Sequence, residues 1–200
     1  MECFVLHKKV NEMKITIHQP NFIPWYPFFQ KIEAADIFVI LSNCQFEKNN
    51  FQNRFNMNKK WFTMSTNKGL EKINKKIYVN PNRDWIKIKK TLYNYNLEIF
   101  NNCISESLYD TNKNIIKKIC KLLNIKTKIV EDYDTNLKGT ERLIDICKSL
   151  NAKSYISGIG GKKYMESNLF SKHNIELIFQ NEKDMIKKPV LEILKEKKYV

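Results

Sequence analysis

Residues 14–42 read KITIHQPNFIPWYPFFQKIEAADIFVILS, and this stretch decides the fold. KITI is a short apolar run of strand type that ends at His18. In FFQKIEAAD, Phe28, Phe29 and Ile32 fall on one face of a helix. IFVILS is β-branched and aromatic, the signature of a buried strand. Between the first strand and the helix, Pro20, Pro24 and Pro27 fix φ and remove amide donors, so HQPNFIPWYP is a rigid loop outside any sheet. The whole is one strand–loop–helix–strand unit.

Working outward, the same alternation returns in the second half of the chain. NKNIIKKICKLL (112–123) is an amphipathic helix and TKIVED the strand after it. TERLIDICKSL (140–150) is a helix with Thr140 as its N-cap, KSYISG a strand, KKYMESNLFSKH (162–173) a helix and IELIFQ a strand. VLEILKEKKYV reads as a last helix or tail over 183–200. Strands alternating with helices predict an α/β fold, an open and mostly parallel sheet flanked by helices in a Rossmann-like or nucleotidylyltransferase-like manner. The segment 46–110 is less regular and reads as an insertion or lid. Within it WFTMST and KKIYVN read as short strands, and 83–100 reads as a helix with Trp85, Ile88, Leu92 and Tyr95 on one face. Residues 1–12 precede a second methionine, Met13, and read as an N-terminal extension, leaving 13–182 as the domain.

The chain has 200 residues, enough for one compact domain, and a 42% apolar share that supports a core. Its longest apolar run, Ile37 to Leu41, is far short of the ~20 residues of a membrane span. The first ten residues lack a signal-peptide core, which predicts a soluble, cytoplasmic protein. Net charge is +14, but only Arg54, Arg83 and Arg142 are arginines and the lysines are dispersed along the chain. That pattern favours a solvated lysine surface with a smaller anionic ligand over a nucleic-acid partner. The five cysteines (3, 44, 103, 120, 147) are odd in number and widely spaced, which argues against a disulfide framework and a zinc site. Cys120 and Cys147 read as small core residues. No metal is expected.

Glycine and proline are scarce, five of each, and their placement is informative. Three prolines follow the first strand, and Gly158, Gly160 and Gly161 follow a late one, in SGIGG. If those strands are parallel, both loops emerge at the carboxyl edge of the sheet, where open α/β folds bind ligands. SGIGG leading into a helix near Lys162 would place backbone amides, Lys162 and Lys163 around an anion. His18, at the end of the first strand, is the candidate general base. Gln19 offers a donor and an acceptor to a ligand hydroxyl or to its own loop. Gln45, Lys48 and Asn53 follow the second strand, and Arg54 offers a bidentate fork to phosphate or carboxylate. Glu141 and Arg142 open a helix, one suited to its dipole and the other to a carboxylate or ligand. Ser157 precedes the glycines, and Tyr164 stands where it could close over a bound ligand. Cys44 is a less favoured candidate nucleophile.

HQPNFIPWYPFFQKIEAADIFVILSNCQF, then FQNRFN, then ERLIDICKSLNAKSYISGIGGKKYM, together resemble the WbqC-like family from about Met13 to Gln180. The specific elements are QPxxxP after the first strand, QF followed by an NR pair, an ER opening a helix, and SGxGGxxY after a strand. The resemblance implies a role in surface-polysaccharide (O-antigen or capsule) biosynthesis. It further implies transfer of an aminoacyl or acyl group to the amino group of a nucleotide-linked deoxyamino sugar. The donor would be activated through ATP, CoA or tRNA. Partners would be the nucleotide-linked sugar and other glycan-biosynthesis enzymes, and the alternative is a non-catalytic nucleotide-sugar-binding module. Where relatives commonly carry acidic residues before QF, this sequence has Ser42, Asn43 and Cys44. A strand ending in His, a proline-rich loop, a helix and AAD before a strand is also similar to the nucleotidylyltransferase superfamily, although its HxGH signature is absent.

Overall fold

A computed structural model describes residues 12–200; the expected extension over 1–12 lies almost wholly outside them. Five parallel strands form the main sheet: β1 (Lys14–His18), β2 (Ile37–Ile40), β5 (Lys128–Glu131), β6 (Ser154–Ser157) and β7 (Glu176–Phe179). Their spatial order is β5-β2-β1-β6-β7. The chain winds outward from β1 to β2 and β5, then returns to the other side of β1. Such a reversal is the switch point of a doubly wound sheet, and it falls between β1 and β6. The fold class is therefore an open α/β sheet, as the alternation predicts.

Burial follows the topology. β2 and β6 are buried along their whole length, whereas the edge strands β5 and β7 are only half-buried. One face is covered by α1 (Tyr26–Glu33) and α3 (Leu108–Leu122), which share a core with Phe38 and Ile40 of β2. The other is covered by α4 (Gly139–Ser149) and α5 (Ser167–Lys172), packed on Ile15, Ile17, Val39 and Tyr155. Successive residues of β1 and β2 thus serve opposite cores, as strand pleating requires. Cys120 and Cys147 are buried in these cores.

The 46–110 segment contains the antiparallel hairpin β3 (Arg54–Met57) and β4 (Lys60–Thr63), α2 (Pro81–Thr91) and short 3-10 turns. Its Phe55, Phe62, Trp85 and Phe100 join the core shared by α1 and α3. α6 (Val190–Glu196) closes the chain on that same core.

Several local expectations are corrected. The helix predicted over 83–100 stops at Thr91, and Leu97–Cys103 is a separate 3-10 segment. Asn94 and Asn96 intervene, and asparagine favours turns over helix interiors. KKIYVN is not a strand: Ile77 bridges Ser107 and Tyr78 bridges Thr66, on opposite sides, so no ladder forms. α3 begins four residues earlier than predicted because the Ser107 side chain accepts from Asp110 N at 3.1 Å. Thr140 is not the N-cap of α4; Lys138 is, and Thr140 Oγ1 accepts from Glu166 N at 3.3 Å. The helix predicted over 162–173 is a 3-10 turn, Ile159–Lys163, followed by the short α5. Two glycines at its start weaken helix formation there.

Candidate functional site

Because β1 and β6 are parallel neighbours, with Ile15 opposite Tyr155 and Thr16 opposite Ile156, the proline-rich and glycine-rich loops leave the sheet side by side. The sequence expectation that both share one edge holds, and that edge is the switch point.

The proline loop is held from below. Asn112 of α3 donates from Nδ2 to Pro20 O (2.8 Å) and to Gln52 O (2.7 Å), and Tyr78 Oη donates to Asn112 Oδ1 (3.1 Å). Gln19 Oε1 accepts from Gln52 Nε2 at 2.7 Å while Gln19 Nε2 donates to Cys44 Sγ at 3.4 Å. The Gln19 amide is thus engaged with its own surroundings. Ile23, buried inside the loop, has φ +44°, a conformation costly for a β-branched residue. Strained backbone of this kind persists only where its surroundings over-determine it.

The glycine loop is built differently from its expectation. None of Gly158, Gly160 and Gly161 has positive φ. Gly161 is required by crowding: a Cβ there would lie 2.3 Å from Ser157 Oγ and 2.9 Å from Met165 Cε. Ser157 is buried and donates to Gly158 O. No α-helix begins at Lys162, so the expected helix N-terminus for an anion is absent here. Lys162 instead extends over the Phe179 ring, 5.4 Å from its centroid. With Ile159, Gln180 and Lys183 it lines a cavity of about 620 Å³ beside the loop. Gln180, which sequence reading missed as a site residue, laces the two loops together. Its N donates to Ser157 O (2.9 Å) and its Nε2 to Pro27 O (2.9 Å).

His18 stands at this edge, half-buried, its ring edge-on to Phe28 at 5.0 Å between centroids. Its Nδ1 lies 2.9 Å from Gln19 O. A carbonyl oxygen only accepts, so Nδ1 carries the ring proton and Nε2 keeps its lone pair. Burial, reinforced by the positive charge of Lys31, lowers its pKa to about 3, so the imidazole is neutral at pH 7. Lys31, on the inward face of α1, is buried, and burial lowers its pKa to about 7. It makes no hydrogen bond or ion pair among the described residues.

The other candidates distribute around this edge. Cys44 is a protonated thiol, with burial pushing its pKa up to about 11, the opposite of an activated nucleophile. Gln45 bridges Lys72 and Lys48 is exposed. Asn53 is buried and spends its Nδ2 on Met64 O at 2.8 Å. Arg54 lies over the Trp61 ring, 4.1 Å from its centroid, and bonds Asn49 O through Nη2. Tyr164 is exposed. Glu141 is exposed on α4. Arg142 is buried and turned away from the β1–β6 edge, toward Asp132 (3.1 Å) and Tyr133 O.

Asp132, just beyond β5, is the second residue that sequence reading missed. Its fully buried carboxylate accepts from Ser42 N (2.9 Å), Ser42 Oγ (3.0 Å), Asn43 N (3.2 Å) and Asn43 Nδ2 (3.1 Å). The loop before QF lacks an acid of its own and is organised around this one.

A model of the WbqC-like protein family matches residues 19–189. The chain is also similar to "Uncharacterized protein Rv1507c" of Mycobacterium tuberculosis, 26% identical over 193 residues, covering 82% of this chain and 80% of that protein. No solved structure matches it significantly. No helix among the described residues is long and apolar enough to cross a membrane.

Proposed function

The chain belongs to the WbqC-like protein family, and on that premise we propose that it transfers an acyl or aminoacyl group to the amino group of a nucleotide-linked deoxyamino sugar. The observation that carries the reading is His18: an imidazole with its proton on Nδ1 and a free lone pair on Nε2, at the switch point of a doubly wound sheet. The sugar's neutral amine attacks the donor carbonyl. A C–N bond forms, the bond from the carbonyl to the donor's activating group breaks, and Nε2 takes the proton that the nitrogen sheds. An imidazole held near pKa 3 is a weak base until an anion joins it. The sugar's diphosphate, bound at the same edge, would offset desolvation and raise that basicity.

The test is incubation with dTDP- and UDP-linked 4-amino sugars and a panel of acyl-CoA, aminoacyl-tRNA and ATP-activated donors, read by mass spectrometry. One donor adds its acyl mass to the sugar, and His18→Gln slows the reaction about 10²–10⁴-fold. No mass gain across the panel, or full activity of His18→Gln, overturns the reading. The depressed basicity of His18 favours one alternative, a nucleotide-sugar-binding module without turnover. That alternative predicts ligand binding by the wild type, no product, and only an affinity change in His18→Gln.

A further inference from the structure

The cavity of about 620 Å³ beside the glycine loop opens at the carboxyl edge of β6 and β7, and its lining carries charge that no protein group answers. Its volume lies within the range of about 300–1,000 Å³ typical of small-molecule sites. The position follows from the topology. β6 leads into the 3-10 turn Ile159–Lys163, which contributes Ile159 and Lys162. The neighbouring edge strand β7 ends at Phe179, and the segment 180–183 after it contributes the opposite wall. Ile159 and Phe179, both half-buried, supply the apolar surface. Lys162 Nζ stands 5.4 Å from the centroid of the Phe179 ring, so its ammonium is held at the cavity by a cation–π contact.

The polar groups of the lining divide into those already engaged and those left over. Glu182, the one carboxylate lining the cavity, is paired with Lys187. Asn181 is spent on its own turn: Oδ1 accepts from Lys183 N at 3.2 Å and Nδ2 donates to Asp184 Oδ2 at 2.8 Å. That turn fixes the backbone from which Lys183 projects. Gln180 donates from Nε2 to Pro27 O at 2.9 Å, which leaves its Oε1 as an open acceptor. Neither Lys162 nor Lys183 has a carboxylate within 4.0 Å among the described residues. Two unpaired ammonium groups thus line one cleft with apolar walls. Charge of one sign in such a cleft focuses the field and concentrates an anion.

We infer that this cavity is the nucleotide subsite, in which Lys162 and Lys183 hold the diphosphate of a nucleotide-linked sugar while Phe179 and Ile159 support its nucleoside. The inference rests on the nucleotide-sugar reading above and adds the residues that bind the nucleotide. Lysines supply mobile point charges where arginine would impose a fixed fork, which suits a diphosphate whose oxygens turn freely. Gln180 connects the subsite to the reacting edge. It bonds Pro27 O, and the next residue, Phe28, packs its ring on His18 at 5.0 Å between centroids. Its Oε1 is the acceptor for a ligand hydroxyl between the two.

UDP-glucose, inorganic pyrophosphate and uridine are the probes, in calorimetric titrations at low salt. UDP-glucose binds the wild type, pyrophosphate competes with it, and uridine binds at least about tenfold more weakly. The double variant Lys162→Gln/Lys183→Gln loses two charge-assisted contacts and binds UDP-glucose at least about tenfold more weakly. Both side chains are exposed, so its unfolding midpoint stays at the wild-type value. Lys172→Gln/Lys197→Gln makes the same charge change on exposed lysines outside the cavity and keeps the affinity within about twofold. A wild-type measurement needs no variant: amide NMR shifts on adding UDP-glucose concentrate at 159–163 and 179–183. No binding by the wild type, unchanged affinity in Lys162→Gln/Lys183→Gln, equal weakening in the two double variants, or shifts centred elsewhere overturns the inference. Mass spectrometry separates the two readings. A UDP-glucose complex that needs Lys162 and Lys183 but shows no acyl transfer sinks only the transfer reaction. Acyl transfer with an unchanged KM for the sugar nucleotide in Lys162→Gln/Lys183→Gln sinks only the subsite.

Discussion

Asp132 and Lys31 are both ionisable side chains buried in the fold, and the protein treats them in opposite ways. Asp132 is surrounded: two backbone amides, a hydroxyl, an amide side chain and the Arg142 guanidinium all meet its two oxygens. Arg142 in turn lies over the Tyr133 ring, 4.5 Å from its centroid, and 3.7 Å from Asp145. Lys31, by contrast, sits among the buried residues of α1, beside Phe28 and Ile32 in that set. The first arrangement meets both carboxylate oxygens and ties the loop after β2 to the strand beside it, although Arg142 Nη1 is left buried without a hydrogen-bond partner. The second has no ion pair among the described residues, and burial lowers the amine's pKa to about 7. A buried carboxylate met by hydrogen bonds and a guanidinium keeps its charge, whereas a buried amine with no counter-charge is driven toward its neutral form.

The most severe way to test this contrast is Asp132→Ala. It strands Arg142 without its carboxylate and leaves the Ser42 and Asn43 amides unsatisfied, a loss of about 3–5 kcal/mol in urea unfolding. A loss under about 1 kcal/mol would break the comparison, because the completed network would then hold nothing.

The pH dependence of stability sharpens it next. His18 has a pKa of about 3 in the native state against 6.5 unfolded, so between those values the unfolded chain binds more protons. Its contribution to stability is present above pH 6.5 and is lost as pH falls toward 3, at a slope approaching about 1.4 kcal/mol per pH unit. His18→Gln flattens that segment of the curve. For Lys31, about 7 in the native state against 10.5 unfolded, the sign is the same. Stability rises from pH 7 toward 10.5, and Lys31→Met removes the rise while raising stability at pH 7. Denaturant midpoints across pH 3–10 for the three proteins measure both windows. A flat wild-type curve would mean that neither base feels its burial.

The smallest effect separates two adjacent glycines. Gly161→Ala forces a Cβ against Ser157 Oγ and Met165 and costs about 1–3 kcal/mol. Gly160→Ala points into open space and stays within about 0.5 kcal/mol of the wild type. Equal effects in thermal unfolding would place the loop's constraint elsewhere.

Much of the fold is legible in residues 14–42 and in the later alternation, since apolar periodicity is a local property. The 46–110 segment is less so. There KKIYVN reads as a strand by pattern, yet Ile77 and Tyr78 meet different partners on their two sides. Among site residues, His18 and the placement of both loops are readable. Glu141 and Arg142 look alike on paper as openers of a helix, but one is exposed and the other buried on Asp132. The glycines of SGIGG are legible as unusual, while the reason for Gly161 is a steric contact and not a left-handed backbone. Ile23 has no sequence signal for its positive φ, because proline after it restricts the helical region without naming the alternative.

By itself, then, the sequence determined the alternation of strands and helices, the stiff loop after β1, and the placement of a histidine at a strand end. Only the tertiary structure decided who meets whom. Asp132 reaches Ser42 across 90 positions and Gln180 reaches Pro27 across 153, because the strand order makes neighbours of distant segments. Periodicity is carried by each residue's immediate neighbours, whereas the pairing of a charge, or its want of a partner, is a property of the assembled sheet.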